Sequence, residues 1–117
     1  MRISIHPVGK PRQTRSDVWR QRPAVMRYRA FADELRLKYS GDLPCNLKLT
    51  FYIAMPKSWS KKKCAEMLGK PHQQKPDVDN LAKSVMDVLL EDDSIVWRLT
   101  AEKRWAEEGA IDIEADG

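Results

Sequence analysis

The sequence has few cysteines and no long apolar run. Its two cysteines, Cys45 and Cys64, do not form a CxxC pair, so we expect reduced thiols and no disulfide framework. His6 and His72 show no zinc-ligand spacing relative to the cysteines, which argues against a zinc site. No apolar stretch approaches the roughly 20 residues that cross a bilayer, and the N-terminus MRISIHPVGK lacks an apolar signal core. We therefore expect a cytoplasmic protein with no membrane partner.

The charges are distributed unevenly along a chain that is long enough for one domain. Residues 1–117 are predicted to form a single domain, 42% hydrophobic and 32% charged. Residues 1–75 hold 17 Lys and Arg against 5 Asp and Glu, whereas residues 76–117 hold 4 against 12. A basic surface attracts polyanions, and an acidic cluster that faces a polyanion indicates cations between the two. Pairing of the two surfaces within the fold is the alternative explanation.

Apolar periodicity predicts four strands and three helices. The strands are assigned to residues 2–5, 46–55, 94–105 and 110–115, and the EEG between the last two is interpreted as a hairpin turn. The helices are assigned from Pro23 to about Ser40, from the N-cap Ser60 to Leu68, and from Asp79 or Asn80 to about Leu90. The predicted fold class is therefore α+β, with the long first helix and the third helix packed on one small mixed sheet.

The sequence KPDVDN at 75–80 places two carboxylates two positions apart. Asp77 and Asp79 share a face if the backbone between them is extended. Mg²⁺ prefers oxygen ligands and keeps several waters, so a few carboxylates and a substrate phosphate suffice to hold it. Asp92 and Asp93 complete such a site if the fold returns them to the start of the third helix. Helix capping by Asp79 or Asn80 explains the same residues without a metal.

Lysines and arginines surround this acidic segment. Lys83 lies one turn after Asp79, where it forms either a surface ion pair or a contact with a phosphate. The other basic residues are candidates for phosphate neutralisation in DNA binding, with a solvated charged face as the alternative: Lys10, Arg12, Arg15, Lys57, Lys61, Lys62, Lys63, Lys70 and Lys75.

The tryptophans have two sets of possible roles. Trp19 and Trp59 lie within basic segments and could stack on exposed bases, although packing at the edge of the core is the commoner role. Trp97 and Trp105 alternate with their strand neighbours and are assigned to the core or to a dimer interface.

Four stretches taken together resemble the RusA family of Holliday junction resolvases, which are often phage-borne: MPKSWSKKK at 55–63, GKPH at 69–72, KPDVDNLAKSVMDVL at 75–89 and DD at 92–93. GKPRQTR at 9–15 is similar to the family's basic N-terminal loop, and EKRW at 102–105 to its closing strand. The resemblance implies a homodimeric, Mg²⁺-dependent endodeoxyribonuclease, with Mn²⁺ as a substitute ion. Such an enzyme resolves four-way DNA junctions by paired symmetric nicks during recombination and repair.

The resemblance also implies roles for individual residues. By motif position, Asp77, Asp79 and Asp93 match the essential carboxylates that bind the metal, Asp92 is the adjacent acid, and Lys83 matches the essential lysine. The chain departs from the family pattern in its short LLE connection at 89–91 and in Ile95, where a glutamine is common. Two alternatives stay open: a nuclease for flaps or forks, and a branched-DNA-binding protein with weak or no nuclease activity.

Overall fold

A four-stranded mixed sheet forms the centre of the protein. We analysed a computed structural model, which describes residues 1–11 and 23–116. The strands are β1 (Arg2–Ile3), β2 (Asn46–Ala54), β3 (Arg98–Ala106) and β4 (Ala110–Ala115). Their order across the sheet is β1-β4-β2-β3. Strand β2 runs parallel to β3 and antiparallel to β4, which is in turn antiparallel to β1.

Three helices accompany the sheet in the described residues: α1 (Pro23–Lys38), α2 (Lys61–Met67) and α3 (Val78–Leu89). Helix α1 contributes Phe31 and Leu35 to the core, and α3 contributes Leu81 and Val85. These side chains recur at the three- and four-residue spacing that places them on one face of a helix. The predicted α+β class, with a small mixed sheet and the long first helix and α3 on it, is confirmed.

The hairpin predicted between the last two strands is wrong. Strand β2 lies between β3 and β4, and its Leu47, Leu49 and Phe51 are fully buried. Because β2 has more buried residues than any other described strand, it takes a neighbour on each side. Residues 107–109 therefore pass over the end of β2 to connect β3 with β4. These two strands are two strand spacings apart, about 10 Å, which three extended residues can bridge.

Two predicted strands are shorter than expected. Pairing with β2 starts at Asn46 opposite Arg98, so residues 94–97 have no strand partner there. Residues 93–95 form a 3-10 turn instead. The first strand ends at Ile3, which pairs with Ile111; β4 begins one residue before Ile111 in the chain, so little of it remains to pair with residues 4 and 5.

The tryptophans divide between the core and the surface. Trp105 is 4% exposed, and its ring lies 4.8 Å from that of Trp59 and 4.3 Å from that of His72. Trp59 is partly buried against the core, which favours packing at the core edge over base stacking. Trp97 is 72% exposed, so its assignment to the core is wrong and the interface alternative stays a prediction. Trp19 lies outside the described residues.

Candidate active site

The two carboxylates of the KPDVDN segment lie at the start of α3. Asp77 is the N-cap residue, yet its side chain makes no capping hydrogen bond. Asp79 lies in the first turn, where its Oδ1 accepts a hydrogen bond of 2.9 Å from the backbone N–H of Asn80. Both side chains are exposed. Since α3 begins before Asp79 and Asn80, neither is the N-cap, and the capping explanation for them is wrong.

The segment that leads into α3 is fastened to the sheet by a lysine. The ammonium of Lys103, on β3, donates to the backbone carbonyl oxygens of Gln74 at 2.5 Å and Pro76 at 2.6 Å. These two bonds fix the chain immediately before Asp77. The sequence carries no local signal for this role, because the contact joins residues 27 and 29 positions apart.

Lys83 connects α3 to the turn that carries Asp93. Its Nζ lies 2.5 Å from Asp93 Oδ2 and 3.3 Å from Asp87 Oδ1. The hydrogen bond to Asp93 and then that to Asp87 raise the pKa of Lys83 above its ordinary value, so its side chain is an ammonium ion at neutral pH. The contact also shows that the short connection at residues 89–91 brings Asp93 back alongside the middle of α3.

Asp87 joins two lysines from different parts of the chain. Its Oδ2 accepts a hydrogen bond of 2.7 Å from Lys10, and its Oδ1 faces Lys83. Burial opposes ionisation of this carboxyl, but hydrogen bonds from Lys10 and then Lys83 outweigh burial and lower the pKa of Asp87. The sequence analysis gave Asp87 no role. Its four-residue spacing from Lys83 was the available signal.

The loop after β1 is docked along α3. Asn80 Nδ2 donates to the carbonyl oxygen of Lys10 at 3.2 Å. Gly9 lies so close to this amide that a Cβ at residue 9 would stand 2.5 Å from Asn80 Nδ2. Glycine therefore permits the close approach, and Lys10 follows with its ammonium directed at Asp87. The basic loop thus reaches the acidic helix.

Asp92 has a local structural role. Its Oδ1 accepts from the hydroxyl of Ser94 at 2.6 Å and from the backbone N–H of the same residue at 3.0 Å. The hydroxyl hydrogen bond, followed by the backbone one, lowers the pKa of Asp92. Asp92 therefore caps the 3-10 turn that presents Asp93.

The donor atoms suit a hard divalent ion, although they are not gathered at one point. Within residues 1–11 and 23–116, no three His, Cys, Asp or Glu side chains are grouped so that they could hold a metal together. Mg²⁺ takes about one or two carboxylates plus waters and substrate phosphates, so the exposed oxygens of Asp77 and Asp79 fit it chemically. Asp93 Oδ2 is engaged by Lys83. The ligand set Asp77, Asp79, Asp93 and Asp92 stays a prediction.

The other predicted DNA-binding residues lie elsewhere on the surface. Lys57 and Lys61 line a cavity of about 490 Å³ beside Trp59, and the ammonium of Lys63 lies 4.5 Å from the centre of the Trp59 ring. Ser60 caps α2 by accepting from the N–H of Lys63 at 3.2 Å. Three further members of the predicted set, Lys62, Lys70 and Lys75, are exposed. Arg12 and Arg15 lie outside the described residues.

The fold and this site define a class of protein. Exposed aspartates and an ammonium on one helix of an otherwise basic α+β protein are suited to cleavage of phosphodiesters, and the class is that of the small nucleases. The family model described as "Endodeoxyribonuclease RusA" matches residues 4–115. The chain therefore belongs to the RusA family of endodeoxyribonucleases, as its motifs predicted. Neither the curated proteins nor the solved structures gave a significant match.

Proposed function

We propose that the protein is a divalent-metal-dependent endonuclease that resolves four-way DNA junctions by paired symmetric nicks in recombination and repair. Membership of the RusA endodeoxyribonuclease family supports the nuclease activity. The observation that carries the location of the site is the contact of Lys83 with Asp93, which brings the distant second acidic segment to the helix that begins with Asp77 and Asp79.

The proposed ligands of the metal are Asp77, Asp79 and Asp93, with Asp92 adjacent. A bound Mg²⁺ or Mn²⁺ supplies an activated water and neutralises charge on the scissile phosphate and the leaving oxygen. Asp77 offers both carboxylate oxygens, since its side chain makes no capping bond. Lys103 keeps this acid in place by holding the carbonyls of residues 74 and 76.

Lys83 supplies positive charge and does not act as a base. Its raised pKa keeps the amine protonated at neutral pH, so it stabilises negative charge on the non-bridging phosphate oxygens. Asp87 contacts the same ammonium from within α3. If Asp93 served as a metal ligand, the contact with Asp87 would keep the ammonium of Lys83 in position.

Affinity for DNA comes from the basic segments outside the acidic helix. Lys10, Lys57, Lys61, Lys62, Lys63, Lys70 and Lys75, with Arg12 and Arg15, are proposed to contact phosphates, so binding weakens as salt rises. A four-way junction has approximate two-fold symmetry, and a homodimer presents one site to each of two opposed strands. The proposed partners are thus branched DNA and a second copy of the chain.

Nicking assays on a panel of synthetic substrates test this proposal. The panel contains a fixed four-way junction, a fork, a flap and a linear duplex of matched sequence, each incubated with Mg²⁺ and with Mn²⁺. We expect paired nicks in the junction and little cleavage of the duplex. Preferential cutting of forks or flaps contradicts junction resolution in favour of a related branched-DNA nuclease. Binding of the junction with every strand left intact contradicts the nuclease proposal.

A further inference from the structure

A cavity opens between the end of β2 and α2, and no residue of the acidic helix lines it. Its volume is about 490 Å³, within the range of about 300–1,000 Å³ that sites for small molecules occupy. Met55 and Pro56, which follow β2, and Leu68, which ends α2, supply an apolar lining. Leu68 is 51% exposed, so part of this apolar surface is accessible to a ligand.

The wall of the cavity is fixed by contacts with the sheet and within its own loop. The N–H of Met55 donates to the carbonyl of Ala106 at 2.9 Å, and the N–H of Trp59 donates to the carbonyl of Pro56 at 3.1 Å. The ring of Trp59 lies 4.8 Å from that of Trp105, so it is a packed part of the wall. A ligand that enters a preformed site of this kind loses less binding energy to ordering of the protein.

Charged side chains of both signs line the cavity without pairing. Lys57, Lys61 and Glu107 all belong to the lining. All three are exposed, and none forms an ion pair with another described residue. The ammonium groups attract a phosphate, whereas the carboxylate accepts hydrogen bonds from a donor. A ligand that satisfies this lining carries an anionic group, a hydrogen-bond donor and an apolar surface.

A nucleotide has all three properties. Its phosphate is anionic, the faces of its base are apolar, and adenine, cytosine and guanine each carry an exocyclic amino group. In paired DNA the amino group is engaged by the other strand and the faces are stacked, so only an unpaired nucleotide offers both to a cavity. Unpairing costs least where the duplex is already interrupted, and a branch point is such an interruption.

We propose that this cavity binds one unpaired nucleotide of branched DNA, with a preference for a base that carries an exocyclic amino group. Lys57 and Lys61 contact its phosphates. The base lies against the apolar lining, and Glu107 accepts a hydrogen bond from the amino group. Thymine lacks this group and binds less tightly. The inference rests on the proposed function, because a junction nuclease brings branched DNA to this surface.

The cavity is connected to the acidic helix through a row of packed rings. Trp59 contacts Trp105, whose ring lies 4.3 Å from that of His72. His72 precedes Asp77 by five residues, which span at most about 18 Å. A strand with an unpaired nucleotide in the cavity therefore passes within several nucleotides of Asp77. Occupation of the cavity would then help to determine which phosphate reaches the acids.

The two cysteines provide matched probes of the cavity. Cys64 lines it, whereas Cys45 is exposed and lies before β2. The natural chain is alkylated with N-ethylmaleimide in the presence of a chelator, and each thiol is followed by mass spectrometry. A four-way junction with one unpaired cytosine at the crossover should slow alkylation of Cys64 about tenfold relative to a fully paired linear duplex. An unpaired thymine should protect less, and exchanging the two bases should leave Cys45 unaffected.

Filling the cavity provides a second test. Ala65 is an exposed residue of the lining, so Ala65→Phe places a ring there without altering the core. Ala30→Phe, at an exposed alanine of α1, is the matched control. A junction with unpaired 2-aminopurine, a fluorescent base that carries an amino group, should change its emission on saturation with the natural chain or Ala30→Phe. The change should be at least fivefold smaller with Ala65→Phe.

The role of the carboxylate is tested by one further variant. Glu107→Leu should bind junctions with an unpaired cytosine and with an unpaired thymine equally, whereas the natural chain should prefer cytosine several-fold. Equal protection of Cys64 by the linear duplex, or an emission change that Ala65→Phe leaves intact, overturns the cavity proposal. A preference for cytosine that survives in Glu107→Leu overturns the assignment of the carboxylate.

The same preparations separate the cavity from the proposed function. Cleavage of the junction in Mg²⁺ by a chain whose Cys64 is not protected refutes the cavity proposal and leaves the proposed nuclease standing. Protection of Cys64 by a junction that stays intact in Mg²⁺ supports the cavity proposal and contradicts the proposed function.

Discussion

Two groups of lysines in this protein are held in different ways. Lys10, Lys83 and Lys103, the site lysines, donate to aspartate or backbone oxygens around α3. The α2 lysines, Lys61, Lys62 and Lys63, are exposed, and none forms an ion pair with another described residue. A lysine with fixed partners can orient an acid or a phosphate, whereas an unpaired one is available to a polyanion.

The comparison leads us to propose two tasks for positive charge in this protein. The site lysines are adjacent to the acidic residues that would otherwise repel DNA, and they fix the geometry of that site. The α2 lysines lie at the N-terminus of a short helix, where the macrodipole disfavours them and an anion relieves the repulsion. Loss of a site lysine should therefore lower the rate of cleavage, and loss of the α2 lysines should lower affinity.

The largest effect is expected from removal of Asp77, the acid whose backbone Lys103 holds in place through the carbonyls of residues 74 and 76. Asp77→Asn should reduce junction cleavage by about a thousandfold or more, because it removes a proposed metal ligand. Binding should stay the same or tighten, since a repulsive charge is removed as well. Single-turnover cleavage and gel-shift titration measure the two quantities. Asp33→Asn, an exposed acid on α1, is the control that should leave both unchanged.

Single substitutions test most directly whether the two lysine groups have different roles. Lys83→Ala should slow cleavage at saturating enzyme by about a hundredfold, in the range found when one preorganised charge donor is removed from a site. Lys62→Ala is the matched control and should leave the saturated rate unchanged. Equal losses of rate in the two variants would mean that Lys83 has no special position.

The α2 lysines should act on affinity alone. Replacing Lys61, Lys62 and Lys63 with alanine should weaken junction binding about tenfold at moderate salt and flatten the dependence of log K on log salt, by up to about 0.9 for each phosphate that the variant no longer neutralises. Ser60 still caps α2, so the helix should persist. Binding titrations at several salt concentrations give the slope, and an unchanged slope would show that these lysines do not touch DNA.

A smaller effect is expected from Asp87, which holds two of the site lysines. Asp87→Asn keeps an acceptor oxygen but loses the charge that attracts Lys10 and Lys83, so we expect the saturated cleavage rate to fall about tenfold with little change in affinity. Rate measurements on Asp87→Asn and Asp87→Glu check this. A partial rescue by glutamate is predicted; a loss of thermal stability without any loss of rate would make Asp87 purely structural.

The smallest expected effect is on stability and concerns His72, which belongs to neither lysine group. Burial, and then the charge of Lys103, lowers the pKa of His72 below 6.5, and its Nδ1 has no partner among the described residues. Below about pH 6.5 the unfolded chain binds a proton that the folded chain lacks. The free energy of unfolding should therefore decrease as the pH is lowered, by at most about 1.4 kcal/mol per pH unit.

Urea unfolding between pH 7.5 and 5 measures this slope. His72→Asn should flatten it, whereas His6→Asn, at an exposed histidine, should not. A slope that is the same in both variants would assign the acid sensitivity to other groups.

Local sequence patterns predicted most of the elements correctly. Period-two alternation located β2 within one residue, and the Ser60 cap and Pro23 located the starts of α2 and α1. These signals are local, since a strand or a helix terminus is encoded by neighbouring residues. The error in the EEG hairpin has a different origin. The order of strands depends on which strand has hydrogen-bonded neighbours along both edges, and long-range packing gives β2 this central position.

The sequence proposed the acids and Lys83 of the candidate site, which stay predictions, but it did not indicate the residues that support them. The motif identified Asp77, Asp79 and Lys83 because they are close in the chain. Lys103 and the docking of Lys10 were missed, because they contact α3 across 27 and 77 residues. Such contacts follow from the fold, and no spacing in the sequence encodes them.

Mapped cleavage of a fixed four-way junction, with and without Mg²⁺, tests the central claim most directly. Each strand is labelled in turn, and binding is measured in the same samples by gel shift. We predict that the protein binds the junction in both conditions and cuts it only with Mg²⁺, at symmetry-related positions in two opposed strands. Equal nicking in the presence of a chelator, or a bound junction that stays intact with Mg²⁺, would contradict the account.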